Sequence, residues 1–97
     1  MTQKQIQIKA DTKEIQGVYS NLLEIKHTQE EFCLDFFNLF PPVGALVSRI
    51  IVSPGHLKRM IRAFQDNLKK YEQRFGTVQE AKAPHKEEGF GFEDRGK

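Results

Sequence analysis

His27, Cys33, Asp35 and His56 are the side chains in this 97-residue chain whose types could carry covalent or acid–base chemistry. Nucleophilic cysteine chemistry needs a thiolate favoured by a nearby cation, together with a base within reach. Strand alternation puts Cys33 and Asp35 on one face, and a carboxylate neighbour disfavours a thiolate. His27 sits at the end of the preceding strand, across a turn from Glu31. A half-buried cysteine acting as a small apolar residue and a histidine beside a turn account for the same positions. His27, His56 and His85 lack the paired spacing of metal ligands, and one cysteine cannot build a structural zinc site. The residues therefore predict no catalytic centre, no metal and no cofactor.

Two further constellations concern binding. Ser53-Pro54-Gly55-His56 places free backbone amides, a small residue and an imidazole at a helix start, a geometry that suits phosphate or carboxylate. A plain capped start, with Ser53 accepting and Gly55 packing closely, explains it equally well. Beyond it, Lys58, Arg62 and Lys69 fall on one side of the helix as a basic ridge that could track phosphates. No aromatic residue is interleaved on that side, so a stacking platform for single strands is absent. A solvated helical face is the competing reading. Near the C-terminus, Phe90 and Phe92 in GFGFED are two aromatics able to dock in a partner's groove.

The elements that must carry these groups follow from periodicity. Residues 4–9, KQIQIK, alternate strictly and predict a half-buried edge strand with Ile6 and Ile8 on one side. Residues 11–16 are a polar connection closed by Gly17. A second strand is predicted at 18–27, then a short turn at 28–30. The third strand, 31–40, carries Phe32, Leu34, Phe36 and Phe40 on one face and Cys33, Asp35, Phe37 and Leu39 on the other. Pro41-Pro42-Val43-Gly44 turns the chain. In the fourth strand, 45–52, Leu46, Ile50 and Val52 lie with Ser48, opposite Ala45, Val47, Arg49 and Ile51. A helix follows from Pro54, capped by Ser53 and stopped by Gly76. Leu57, Met60, Ile61, Phe64, Leu68, Tyr71 and Phe75 form its apolar stripe.

The predicted class is thus α+β: a four-stranded, mostly antiparallel sheet followed by one long C-terminal helix packed on one face. Residues 1–76 form the single domain. Residues 77–97, rich in charge, Gly and Ala without apolar period, form a flexible tail. Both faces of the third and fourth strands are apolar and one helix covers only one of them. A homodimer or higher assembly through Phe37, Leu39, Ile50 and Ile51 is therefore expected.

Charge and composition narrow the partners. The net charge of +2 is too small to name one. Its distribution says more: residues 54–76 hold six basic and two acidic side chains, so the excess lies on the helix. A single cysteine fits a reducing cytoplasm. The start MTQKQIQIKAD lacks the apolar run of a signal peptide, and no stretch reaches the roughly 20 apolar residues of a membrane span. The expectation is a cytoplasmic protein without a membrane partner.

The runs Gly17-Val18-Tyr19-Ser20-Asn21, His27-Thr28, Glu31-Phe32, Leu34-Asp35-Phe36 and Val52-Ser53-Pro54-Gly55-His56 resemble a family of small prokaryotic proteins known as domain of unknown function 3467. Leu68, Lys70-Tyr71-Glu72 and Arg74-Phe75-Gly76 extend the resemblance, which covers roughly residues 14–76. The family brings no catalytic residues. The chain is also similar in expected fold to the export chaperone SecB, which implies a four-stranded antiparallel sheet backed by helices and assembly through dimers. It lacks the second C-terminal helix of that chaperone. Together these readings predict a non-enzymatic oligomeric module that binds or assembles a protein partner. The alternative is a nucleic-acid-associated protein working through the helix's basic ridge.

Overall fold

A computed structural model describes residues 5–84. The aromatic and aliphatic run of Phe32–Phe40 forms the central strand, β2, of a three-stranded antiparallel sheet. It is flanked by β1 (Leu22–His27) and β3 (Val43–Val52), in the order β1-β2-β3. The turn from β1 to β2 is closed by Thr28. Its N–H donates to the Glu31 carbonyl at 3.0 Å. Its Oγ1 accepts from the amides of Glu30 and Glu31 at 3.2 and 3.3 Å, the local hydroxyl bonding that makes threonine a turn former. Pro41 and Pro42 turn β2 into β3; they have no N–H to offer a ladder, so the turn is their natural place.

The sheet lacks the expected fourth strand. Residues 5–10 form no strand, and Ile6 and Ile8 are 83 % and 86 % exposed. The polar connection instead holds a short helix, α1 (Thr12–Gln16). Asp11 begins it: its backbone N–H donates to Glu14 Oε1 at 2.9 Å and its carbonyl accepts from the Ile15 amide at 3.1 Å, so short-range bonds win over extension. Gly17, at φ +76°, ends it in a conformation open to glycine.

The predicted strand 18–27 is shorter than expected because Ser20 and Asn21 serve the β2 edge with their side chains. Asn21 N–H donates to the Phe37 carbonyl at 2.9 Å, and Ser20 Oγ donates to the same oxygen at 2.9 Å. The Asn21 side-chain amide then takes the place of a backbone residue. Its Nδ2 donates to the Leu39 carbonyl and its Oδ1 accepts from the Leu39 N–H, both at 2.8 Å. The end of β2 is thereby satisfied although β1 has not yet begun, which meets the demand of buried backbone for partners.

Register in β2–β3 changes once, between Phe36 and Phe37. Phe40 pairs with Val43 and Phe37 with Leu46, whereas Phe36 pairs with Ser48, so Val47 is the extra residue of a bulge. Beyond the bulge each β3 side chain moves to the opposite face from the one that simple alternation assigns. Leu46 consequently joins Phe37 and the Arg49 side rather than Ile50 and Val52, a correction to the expected pattern. The core is small: among the described residues Leu34, Phe37 and Leu39 are the buried apolar side chains, all from β2.

The long helix α2 (Pro54–Phe75) forms as expected. Ser53 Oγ accepts the His56 amide at 3.1 Å and Pro54 opens the first turn. Gly76, at φ +94°, returns its N–H to the Glu72 carbonyl at 2.9 Å. The expected packing of this helix on the sheet does not occur within the chain. None of its residues is buried, and only Leu57 and Met60 of the apolar stripe are half-buried.

Gly44 faces Leu39 across the β2–β3 pair, and a Cβ at Gly44 would run into the Leu39 side chain. Leu39 is buried and has little room to yield. Gly44→Ala is expected to destabilise the protein by about 1–3 kcal/mol, the usual cost of overpacking. A lowered urea midpoint at unchanged slope would show it.

Candidate functional site

The two sheet faces have different chemistry. One carries Leu23 and Ile25 of β1, Phe32, Leu34 and Phe36 of β2, and Ile50 and Val52 of β3, in cross-strand rows such as Ile25–Leu34–Ile50. Leu34 in the middle of that row is buried, while Ile25 and Ile50 beside it are 51 % and 45 % exposed. The other face carries the row Glu24–Asp35–Arg49, with Lys26 and Cys33 beside it and Phe37 and Leu39 further along β2.

Asp35 is fully buried and is the centre of the charged row. Arg49 grips it with two bonds, Nε to Oδ1 at 2.6 Å and one terminal nitrogen to Oδ2 at 2.9 Å, the fork geometry in which guanidinium binds carboxylate best. Lys26 Nζ lies 3.5 Å from Oδ2, and the Cys33 thiol donates to Oδ1 at 3.4 Å. The Arg49 hydrogen bonds hold Asp35 well below the usual carboxylate range, against the opposing push of burial, with the Cys33 bond and the charges of Arg49 and Lys26 adding to the effect. Asp35 in turn raises Arg49.

This cluster settles how the expected chemical residues stand to one another. Cys33 shares a face with Asp35, as alternation predicts. His27 lies on the opposite face, where its ring packs against Phe32 with centroids 5.2 Å apart. His56 is on α2, and its Nδ1 lies 3.0 Å from an Arg59 guanidinium nitrogen. The sheet thus separates the thiol from the imidazole of His27. Among the described residues no group of His, Cys, Asp or Glu side chains could hold a metal ion.

The helix start is occupied by its own cap. The His56 amide is bonded to Ser53 Oγ and the Leu57 amide to the Ser53 carbonyl at 2.9 Å. Pro54 has no amide, so Gly55 is left with the only free first-turn N–H among these residues. Lys58, Arg62 and Lys69 are exposed, and among the described residues none of them enters an ion pair. Phe90 and Phe92 lie outside the described residues.

The four positions expected to mediate self-association divide. Phe37 and Leu39 are buried in their own chain, at 3 % and 8 % exposure, and offer little to another. Ile50 and Ile51 remain 45 % and 55 % exposed, on opposite faces of β3. The larger exposed surface lies elsewhere. On α2, Ile61, Phe64, Leu68, Tyr71 and Phe75 stand at helical spacing and are all about half exposed or more. The Tyr71 and Phe75 rings lie against each other, tilted by 45° with centroids 4.9 Å apart. The sequence signal for this surface was the helix stripe itself, which periodicity assigned to covering the sheet.

The Asp35–Arg49 pair makes a test in acid. Asp35 is depressed in the folded state, so the stability it contributes is fully present above the unfolded carboxylate's pKa of about 3.9 and is lost as pH falls toward the native value. Unfolding midpoints measured from pH 7 to pH 2 should fall steeply below about pH 4. Arg49→Gln should lower the neutral-pH midpoint and flatten that acid limb.

No helix is long and apolar enough among the described residues to cross a membrane. No curated protein and no solved structure matches the chain. One family model does match, over residues 1–80, described as a protein of unknown function, DUF3467. With most of its length under that model, the chain belongs to the DUF3467 family.

Proposed function

We propose that this protein is a non-enzymatic, cytoplasmic module that assembles with itself, as a homodimer or higher oligomer, and uses apolar surface of that assembly to hold a protein partner. The observation that carries the reading is the pair of apolar surfaces left uncovered in one chain. One is the Leu23–Ile25–Ile50 face of the sheet and the other the Ile61–Phe64–Leu68–Tyr71–Phe75 stripe of α2. Contiguous exposed apolar surface on this scale marks an interaction site. Completing the burial of a single Leu, Ile or Phe side chain is worth up to about 1.5–3 kcal/mol. A chain whose buried apolar core, among the described residues, is three β2 side chains has strong reason to complete it with a second copy. Antiparallel strands followed by one long helix accord with a SecB-like fold, which assembles through dimers.

Sedimentation or light scattering at micromolar concentration should return a multiple of the monomer mass. Ile50→Asp and Phe64→Asp, each at an exposed position, should shift the protein toward monomer while leaving its far-UV circular dichroism intact. A monomer mass for the unaltered protein would overturn the proposal.

Lys58, Arg62 and Lys69, in no ion pair among the described residues, favour a second reading, binding of nucleic acid phosphates along α2. It predicts affinity for duplex DNA or RNA that falls linearly with the logarithm of salt concentration, with a slope reduced by about one for each lysine or arginine removed. Absence of binding at low salt would dispose of it.

A further inference from the structure

The N-terminal segment is patterned as a strand, yet residues 5–10 pair with no strand of their own chain. Gln5, Gln7 and Lys9 alternate with Ile6 and Ile8, the pattern of an edge strand with one buried face. In the structure both isoleucines stand almost wholly in solvent. The segment is not paired with its own sheet; between it and β1 stand α1, with its Asp11–Glu14 bonds, and Gly17 at positive φ.

The outer edge of β1 has the complementary pattern. Thr28 closes the hairpin with a bond toward β2, and antiparallel alternation then directs the backbone groups of Leu23, Ile25 and His27 outward. On one side of that edge stand Leu23 and Ile25, and on the other Glu24 and Lys26. A strand laid beside it needs apolar residues on one face and polar residues on the other, which is what residues 5–9 present. The outer edge of β3 fits less well, since Ile51 and Leu46 make its second face apolar too. Lengths also agree: five residues of strand span about 17 Å and the six of β1 about 20 Å.

We propose that residues 5–9 of one copy add as a fourth strand to the outer edge of β1 in a second copy, with Ile6 and Ile8 continuing the apolar face of Leu23 and Ile25. This rests on the self-association reading and specifies its geometry. The exchange turns an unpaired edge into a ladder, and it extends the apolar face that the α2 stripe of a paired chain would cover.

The test mixes isotope-labelled and unlabelled protein and records isotope-filtered nuclear Overhauser effects. Contacts from Ile6 or Ile8 of one copy to Leu23 or Ile25 of the other are expected, with slowed amide exchange at Leu23 and Ile25. The variant Ile6→Asp/Ile8→Asp, altered where the single chain is solvent-exposed and so expected to fold, should raise the dimer dissociation constant on the order of a hundredfold. Contacts found only within one chain overturn the proposal. So does a dimer whose dissociation constant the double variant leaves unchanged, while self-association itself then stands. A protein that is monomeric at every concentration removes both readings together.

Discussion

The buried carboxylate of Asp35 constrains the rest of the sheet. A carboxylate removed from water is costly unless paired and hydrogen-bonded, and it sits in the middle of the central strand, where water cannot serve it. Arg49 satisfies it from β3 and Lys26 assists from β1, so all three strands are tied at one point by charge. This pairing depends on the bulge at Val47. Counting back along a regular ladder from Phe40 and Val43 would set Asp35 opposite Ser48 and turn Arg49 to the other face. One extra residue in β3 brings the guanidinium onto the carboxylate and concentrates charge on one face. The opposite face is left apolar from Leu23 to Ile50.

That segregation gives the two faces different prospects. The charged face is internally satisfied along its central row, with Phe37 and Leu39 buried further along β2 and Leu39 lying over the side-chain-free Gly44. The apolar face is buried only along its midline, at Leu34. The α2 stripe is likewise uncovered, since capping at Ser53 and Gly76 makes the helix stable locally without seating it on the sheet. A helix of 22 residues gains most of its stability from tertiary burial of its apolar face, and among the described residues this stripe finds little of it.

Asn21 shows how little of the sheet is redundant. Its side-chain amide replaces a residue of β1 by bonding both backbone groups of Leu39, which lets the chain leave the sheet early toward Gly17 and α1. The early departure is also what frees the β1 edge and the N-terminal segment from each other. Local bonding at both places, Asn21 and Asp11, decides which backbone groups are taken up near the sheet edge.

Local signals were legible in the sequence by itself. The start and stop of α2 could be read from Ser53, Pro54 and Gly76, because capping depends on residues only a few positions apart. The turns at Thr28 and Pro41-Pro42 and the alternating faces of β2 were legible for the same reason, as was the shared face of Cys33 and Asp35. The family resemblance was legible in short runs such as Leu34-Asp35-Phe36 and Val52-Ser53-Pro54-Gly55-His56. What the tertiary structure alone decided concerns groups distant along the chain. Periodicity reports that Ile6 and Ile8 share a face but not which strand they meet, and within one chain they meet none. It reports the α2 stripe but not what covers it. It assigned Phe37 and Leu39 to a contact between copies, whereas the absent side chain of Gly44 and the neighbouring Leu22 and Leu46 let them be buried at home. The Asp35–Arg49 pair lay beyond reach because a bulge inverts the faces of a strand, and a bulge is settled by the energy of the pairing it permits.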